Sequence, residues 1–444
     1  MLVDKYIELA KEKNPDEPEF YQTVEEVLTS IEPVLKAHPE YIENCIIERL
    51  IEPERMITFR VSWVDDKGKI QVNRGYRCQY SSTLGPYKGG IRFNKNVYSG
   101  IIKFLAFEQI FKNSLTGFPM GGGKGGSDFD PNGKSDMEIM RFCQSFMSEL
   151  YKYIGPDTDV PAGDLGVSGK EIGYLFGEYK KLTGKYDGTL TGKPLTSGGL
   201  KGRAEATGYG IVFFLNQVLK HKHDIIKGKT CVVSGYGNVA WGTIKKLVEL
   251  GAKVITISGS DGYILDEQGI TKEKVDFLSE MRRKKTGVEE YCKKYTNAKF
   301  FKGKKPWEVK GDIYIPCETQ NEITMEDAKL LVNNKAKYLI EGSNMSTTNE
   351  AINYLKKEGV IVAPSKAANA GGVICSCIEM SQNARHEIFT DEYVYSLLEE
   401  AMINIHNESM DAAQRYNLGY DLIAGANIRG FERVAEGMMA QGVV

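Results

Sequence analysis

The stretch TCVVSGYGNVAWG, residues 230–242, decides the fold. An apolar run from Thr230 to Ser234 reads as a buried strand, and Ile244, Leu247 and Val248 mark one face of the helix that follows. Between them, Gly235-Tyr236-Gly237-Asn238-Val239-Ala240 fits G-x-G-x-x-A. Gly235 permits the sharp turn, Gly237 lets the backbone approach a pyrophosphate, and Ala240 allows close helix–strand packing. The helix N-terminus adds amide donors and a positive dipole end. The glycine spacing alone is weak evidence; after a strand and opening a helix, it points to a dinucleotide site.

A second apolar strand, VITIS (254–258), follows, and DIYIPC (312–317), YLIEG (338–342) and VIVAPS (360–365) continue the series. With a helix over 204–220 leading in, this alternation predicts a parallel sheet of βαβ units. Helical stretches at about 391–416 and 427–440 end the chain. Upstream, 2–13 and 19–37 are helical in pattern, separated by NPDEP. Ile57, Phe59, Val61 and Trp63 alternate with polar residues, DDKG turns, and Ile70 and Val72 resume, so 56–80 reads as an antiparallel hairpin. Helices at 99–113, 135–153 and 168–183 follow, with glycine-rich loops between them. The joint between the halves falls near 195–203, in TSGGLKGR.

The chain has 444 residues, too many for one hydrophobic core, so two or three domains are expected. Lys and Arg total 57 against 59 Asp and Glu, a formal charge of −2, which gives no electrostatic footprint for nucleic acid or an anionic membrane. No apolar run approaches the ~20 residues of a membrane span. MLVDKYIELAKEK carries Asp4 and Glu8 within its apolar pattern and does not read as a secretory signal. The eight cysteines lack any C-x-x-C pair and read as buried reduced thiols of a cytoplasmic protein. The five histidines include His221 and His223 in KHKHD, a solvated corner by its charges; no His-based metal site or Ser-His-Asp triad is expected. Acid–base work then falls to Lys and Asp or Glu.

The first half supplies them. GPYKGGIRF (85–93) holds Lys88, the next helix holds Gln109 and Lys112, and PMGGGKGG (119–126) holds Lys124. Six of the ten residues at 117–126 are glycine, so Lys124 is not there for packing. Backbone amides can close around a small ligand while the ammonium projects into the cavity. Clustering and partial burial lower lysine pKa values and make a neutral amine able to act as a base. The bland alternative is a set of surface loops with solvated lysines. Asp164, in DVPAGDLG (159–166), is either a turn residue or a proton shuttle beside such a base. The small-residue stretch AANAGGVICS (367–376) carries Asn369 and Ser376.

Together these segments resemble the hexameric, bacterial-type glutamate dehydrogenases of the Glu/Leu/Phe/Val dehydrogenase family. GPYKGGIRF, FEQIFKNSL, PMGGGKGGSDFDP, DVPAGDLGV, EATGYG, GYGNVAWG, TQNE, EGSNM and KAANAGGV carry the likeness, from about residue 50 to the C-terminus. The resemblance implies an α/β chain with an N-terminal substrate-binding and assembly domain (1–198) and a Rossmann-like dinucleotide domain (199–419). The C-terminal helix, about 420–444, returns to the first domain. It implies reversible oxidation of L-glutamate to 2-oxoglutarate and ammonium by NADP or NAD, in a homohexamer.

Carried over residue by residue, Lys124 would activate water and Asp164 would move protons to and from the substrate amine. Gln109 and Lys112 would hold the α-carboxylate, and Lys88 and Ser376 the side-chain carboxylate, near Ala162, Thr191 and Val373. Gly163 would offer its carbonyl to the amino group. Thr207, Gly235, Gly237, Asn238, Val239, Ser260, Asn344 and Asn369 would form the cofactor set. The chain departs from the family pattern at Ala204, where a proline usually precedes EATGYG, and at Glu318, where a small residue is usual.

A sibling enzyme for leucine, phenylalanine or valine would have no use for a cation at the far end of its pocket, so Lys88 with Ser376 speaks against it. A catalytically silent nucleotide-binding scaffold would not need Lys124 with Asp164. For the cofactor, Gly259 stands where an acid would accept the ribose hydroxyls, and Arg282-Arg283-Lys284-Lys285 could reach a 2′-phosphate. Asp261 and Glu318 pull the other way. The balance tips slightly to NADP, with NAD use retained.

Overall fold

Two five-stranded sheets carry the chain, one on each side of the 195–203 joint, in a computed structural model that describes residues 2–444. The first contains β1 (Arg55–Val64), β2 (Ile70–Ser81), β3 (Tyr87–Phe93), β4 (Gly122–Ser127) and β5 (Asp159–Gly163), in the order β1-β2-β4-β3-β5. The hairpin β1/β2 and the pair β2/β4 are antiparallel, whereas β4/β3 and β3/β5 are parallel. The second sheet is built from β6 (Thr230–Val233), β7 (Lys253–Val254), then β11 (Ile313–Ile315), β12 (Tyr338–Ile340) and β13 (Ile361–Ala363), ordered β13-β12-β11-β6-β7. All its pairings are parallel. The chain leaves β6 toward β7 and later crosses back to β11, so the strand order reverses between β6 and β11. That switch point is where open α/β sheets bind ligands.

The expected helices are present as Asp4–Lys13, Pro18–Ala37, Ser99–Leu115, Asp136–Leu150, Gly169–Thr183, Ala206–His221 and Asn238–Glu249, with Asp391–Arg415 and Leu422–Gln441 at the end. The last begins five residues earlier than the expected 427, capped by the Asp421 carboxylate, which accepts from the Ile423 and Ala424 amides at 3.1 and 3.2 Å. It returns to the first sheet's side, where Phe431 is buried with Phe107 and Phe111.

Three expectations need correction. The glycine-rich "loops" of the first half are strands β3, β4 and β5. The Arg77 side chain runs from β2 past Gly123 and Gly125 of β4 to the Asp159 carboxylate on β5, and all of it is buried. A Cβ at Gly125 would lie 3.2 Å from Arg77 Cδ. On the opposite face, a Cβ at Gly122 would lie 2.5 Å from Ile110 Cγ1 in the helix Ser99–Leu115. None of the four glycines at 122–126 has a positive φ, so close approach rather than turn geometry requires them. Strand propensity reads side-chain packing, and these strands have almost no side chains to read.

The expected strand 254–258 is split. Ile255 N–H bonds the Cys231 carbonyl in the parallel sheet, while the Ile255 carbonyl accepts from Asp266 N. Past that point β8 (Thr256–Gly259) pairs antiparallel with β9 (Gly262–Leu265), and β10 (Lys299–Lys302) joins as the third strand. Ser260 and Asp261 are therefore the two central residues of a hairpin turn. The KHKHD corner is only partly solvated: His221 stacks on Tyr420 at 4.1 Å, and His406 Nε2 lies 2.8 Å from the Tyr420 hydroxyl. All eight thiols are free and six are buried; Cys45 is exposed and Cys292 half-buried.

Candidate active site

Alternation along β4 places Lys124 on the face opposite Gly123 and Gly125, looking into a cleft of about 650 Å³ between the two sheets. β3 contributes Lys88 to its wall, the helix Ser99–Leu115 contributes Gln109 and Lys112, and the end of β5 contributes Ala162, Gly163 and Asp164. Thr207, Val239, Asn344 and Asn369 line the opposite wall, with Val373 and Ser376 from the helix Gly371–Arg385. Residues far apart in sequence thus meet in one cavity.

Lys124 Nζ lies 3.1 Å from Asp164 Oδ2. The same oxygen accepts from Arg92 Nε at 2.8 Å. Burial would raise the Asp164 pKa, but Lys124 and Arg92 outweigh it and hold the carboxyl down at about 2. Burial lowers the Lys124 pKa, with Asp164 opposing. The nearby lysines are shifted the same way. Lys88 is pushed down to about 7 by burial, with Arg77 adding to it, and Lys112 to about 8 by burial and then Lys124.

Lys88 Nζ donates to Val160 O at 2.9 Å and to Thr191 Oγ1 at 2.8 Å, leaving its third proton for a ligand. Thr191 does not itself line the cleft; this bond and its bridge to Ala162 link it to the site. Gln109 Nε2 donates to Asn113 Oδ1 at 2.6 Å, and Asn113 Nδ2 in turn holds the Lys88 carbonyl at 3.0 Å. Ser376 Oγ donates to Gly372 O at 3.1 Å, one turn back along its helix, and lines the same cleft as Lys88; to bind a carboxylate its hydroxyl must turn that proton into the cleft.

The residues fit a dinucleotide. Gly235 has φ +90°, and a Cβ there would lie 2.8 Å from Cys317 O; at Gly237 a Cβ would meet nothing within 4 Å, so the backbone is open to a ligand. The helix Asn238–Glu249 starts there without a side-chain cap, leaving its first amides for an anion. Asn369 Nδ2 is bound to Gly342 O and Asn344 Oδ1, whereas its buried Oδ1 has no partner. An orphaned acceptor beside the dinucleotide turn suits an amide such as that of nicotinamide.

Two members of the expected cofactor set stand apart. Asn238 lines the neighbouring groove with Lys201 and Tyr395, and its Oδ1 is held by the Arg282 guanidinium, which also lies 5.0 Å over the Trp241 ring. Ser260 is exposed on the β8–β9 turn and does not line the cleft. Of the basic run, Arg282 alone packs on the dinucleotide turn; Arg283, Lys284 and Lys285 are exposed, and Lys284 pairs with Glu280.

Sequence reading missed several groups. Arg92 sits in IRF with nothing to mark it. Arg203 lines the cleft with a buried Nε that lacks a partner, and only its place before EATGYG hinted at it. Glu108 also lines the cleft, its pKa raised to about 6 by burial, with Lys366 opposing. Lys193 Nζ and Glu379 Oε1 form a fully buried pair at 3.2 Å, and Glu379 also accepts from the Gly192 amide at 2.8 Å. This ties the segment after Thr191 to the helix that carries Ser376. Among the described residues no group of three or more His, Cys, Asp or Glu is placed to hold a metal ion, and no helix is long and apolar enough to cross a membrane.

Two family models match: Glutamate/Leucine/Phenylalanine/Valine dehydrogenase over residues 198–442, and the Glu/Leu/Phe/Val dehydrogenase dimerisation domain over 53–181. The chain is 56% identical to an NAD-specific glutamate dehydrogenase of Clostridium symbiosum, covering 99% of each. It is 52% identical to an NADP-specific glutamate dehydrogenase of Chlorella sorokiniana, covering 97% of this chain and 82% of the other. Among solved structures, a glutamate dehydrogenase superposes with a TM-score of 0.98 at 56% identity over 100% of this chain and 99% of the other. Glutamate dehydrogenase of Plasmodium falciparum gives 0.98 at 50% identity, over 100% and 95%.

Proposed function

The chain belongs to the Glutamate/Leucine/Phenylalanine/Valine dehydrogenase family, and from that premise we propose how its cleft works. The enzyme is a glutamate dehydrogenase that uses NAD or NADP. L-Glutamate, water and the oxidised cofactor give 2-oxoglutarate, ammonium and the reduced cofactor, reversibly. The observation that carries the mechanism is the pairing of buried Lys124 with ionised Asp164, in a cleft that also holds Lys88 and Lys112, all three lysines with lowered pKa values.

Lys112 and Gln109 bind the α-carboxylate, and Lys88 with Ser376 binds the side-chain carboxylate. Ala162, Thr191 and Val373 shape the pocket between them, and the Gly163 carbonyl accepts from the substrate amino group. Asp164, ionised at neutral pH, takes a proton from the substrate ammonium and frees its lone pair. Thr207, Asn344 and Asn369, on the opposite wall of the cleft, would hold the nicotinamide, which would supply the hydride acceptor for Cα. Lys124, as the neutral amine, draws a proton from water as its oxygen attacks the imine carbon. Asp164 returns its proton to the nitrogen of the carbinolamine. The C–N bond breaks as C=O forms, and the hydroxyl proton passes to the departing ammonia, which is released as ammonium. Lys124 gives its proton to solvent. Arg92, paired with the same oxygen, favours the ionised form in which Asp164 starts and ends the cycle, and keeps it beside Lys124.

We further place the substrate-binding and assembly unit at 1–198 with 420–444, and the dinucleotide unit at 199–419, in a cytoplasmic homohexamer. The direct test follows absorbance at 340 nm with L-glutamate and each dinucleotide. A protein that binds dinucleotide but turns over no amino acid would overturn the catalytic reading.

A further inference from the structure

The tip of the second strand of a dinucleotide fold ordinarily bears the acid that accepts the adenosine ribose hydroxyls. Here that tip is Gly259, followed by the exposed Ser260. A carboxylate arrives from another strand instead. Glu318 lies three residues beyond the end of β11, across the switch point from the Gly235 turn that follows β6. Its Oε2 accepts from Ser258 Oγ at 2.8 Å, and that same hydroxyl oxygen accepts from the Gly235 amide at 2.8 Å. The carboxylate is therefore anchored between the glycine turn and the β8 tip.

Its position is fixed from behind as well. The Glu318 amide donates to Glu322 Oε1 at 3.2 Å, and Ser234 Oγ donates to the Glu322 carboxylate while accepting from Cys317 N at 3.0 Å. The Glu318 side chain is exposed on the cleft wall, and its Oε1 has no partner among the described residues. No cation pairs with it there; Arg282, the basic group packed on the turn, is engaged by Asn238 and Trp241.

We propose that Glu318 supplies from β11 the ribose-reading carboxylate that the β8 tip lacks, and so sets the enzyme against the 2′-phosphate of NADP. The free Oε1 accepts a ribose hydroxyl, and an unneutralised carboxylate repels a phosphate carrying up to two negative charges at the same place. The inference rests on the dinucleotide-dehydrogenase reading above. It moves the cofactor balance from NADP toward NAD. Asp261, whose Oδ1 would lie 2.9 Å from a Cβ on Gly259, is the rival acid.

The test is fluorescence titration of the intact enzyme with NADH and with NADPH, without amino acid, for wild type, Glu318→Ala, Glu318→Gln and Asp261→Asn. In Glu318→Ala the NADPH/NADH affinity ratio rises by about tenfold or more, the scale of one charge-assisted contact. Glu318→Gln, which keeps an acceptor for Ser258 but removes the charge, moves the ratio the same way. The rise persists in the Glu318→Ala/Asp261→Asn double variant. Ratios within about twofold of wild type in both Glu318 variants, with NADH still bound, overturn the inference and leave the dehydrogenase reading intact. A shift seen only in Asp261→Asn also overturns it. A wild-type protein that binds neither dinucleotide overturns both readings together.

Discussion

Lys124 Nζ and Asp164 Oδ2 lie 3.1 Å apart, and Arg92 Nε holds the same oxygen at 2.8 Å. Two cations thus share one carboxylate. Because Arg92 stays charged, Asp164 keeps a counter-ion when Lys124 gives up its proton. Lys124 can therefore be neutralised in place without leaving the Asp164 carboxylate unpaired.

That arrangement makes Lys124→Ala the sharpest test of the mechanism. Its turnover should fall by at least the ~10²-fold typical of losing a general base. NADH affinity should stay near wild type, since Lys124 lies on β4, across the cleft from the glycine turn after β6. A folded, dinucleotide-binding variant with near-normal turnover would sink the assignment. Asp164→Asn should also lose turnover, because an amide cannot take and return a proton; a change confined to KM would make Asp164 a binding residue only.

The lysine shifts carry a pH prediction whose sign is fixed. With the cleft empty, Lys88 titrates near 7 and Lys112 near 8, lowered chiefly by burial. A dicarboxylate laid against them favours the charged forms and raises both values. At pH 8, binding of 2-oxoglutarate should therefore take up roughly one proton, falling toward zero below pH 6. Calorimetry in buffers of different ionisation enthalpy reads this directly. Zero uptake or net release at pH 8 would contradict the two-lysine pocket.

Lys88 should also set side-chain specificity. It is 2% exposed and held by Val160 and Thr191, so it has no room to swing away from an apolar ligand. Lys88→Leu should cost glutamate about 2–5 kcal/mol in kcat/KM, the scale of stranding one partner of a buried charge pair. Norleucine should suffer less. An unchanged glutamate/norleucine ratio would refute the assignment.

How much of this was legible in the sequence depended on where the signal resided. The β6–turn–helix unit was readable because strand, glycines and helix face are contiguous. Lys124 and Lys88 stood out as charges among glycines. The strands that hold them did not, because the reason for those glycines is Arg77, about 50 residues from β4, lying across the strand. The bend at Ile255 was hidden because its partner, Asp266, belongs to a hairpin that apolar patterning merges into one strand. Glu318 was visible as an oddity, but its meaning lies in a bond to Ser258, 60 residues away. Arg92 and Arg203 carry no local mark at all.

Assembly is open to a direct measurement. Six subunits of 49.5 kDa make a particle close to 300 kDa. Sedimentation of active enzyme should give that mass, and a value that stays at monomer or dimer would contradict the hexamer.

The buried pair Lys193–Glu379 should matter to both stability and substrate binding. Both side chains are at most 1% exposed, and Glu379 is also the acceptor for the Gly192 amide. Burial lowers the Lys193 pKa and Glu379 opposes that, so removing the carboxylate strands either a desolvated ammonium or a neutral amine with an unmade bond. Glu379→Ala should lose about 3–5 kcal/mol in denaturant unfolding, as when one partner of a buried pair is removed. Glu379→Gln, which can still accept from Gly192 and Lys193, should recover part of that loss. The pair also joins the segment bearing Thr191 to the helix bearing Ser376, the two supports of Lys88's end of the pocket. In Glu379→Gln, KM for glutamate should therefore rise more than kcat falls, with NADH affinity unchanged. A variant that is destabilised yet keeps wild-type KM would reduce the pair to a structural tie with no hand in shaping the pocket.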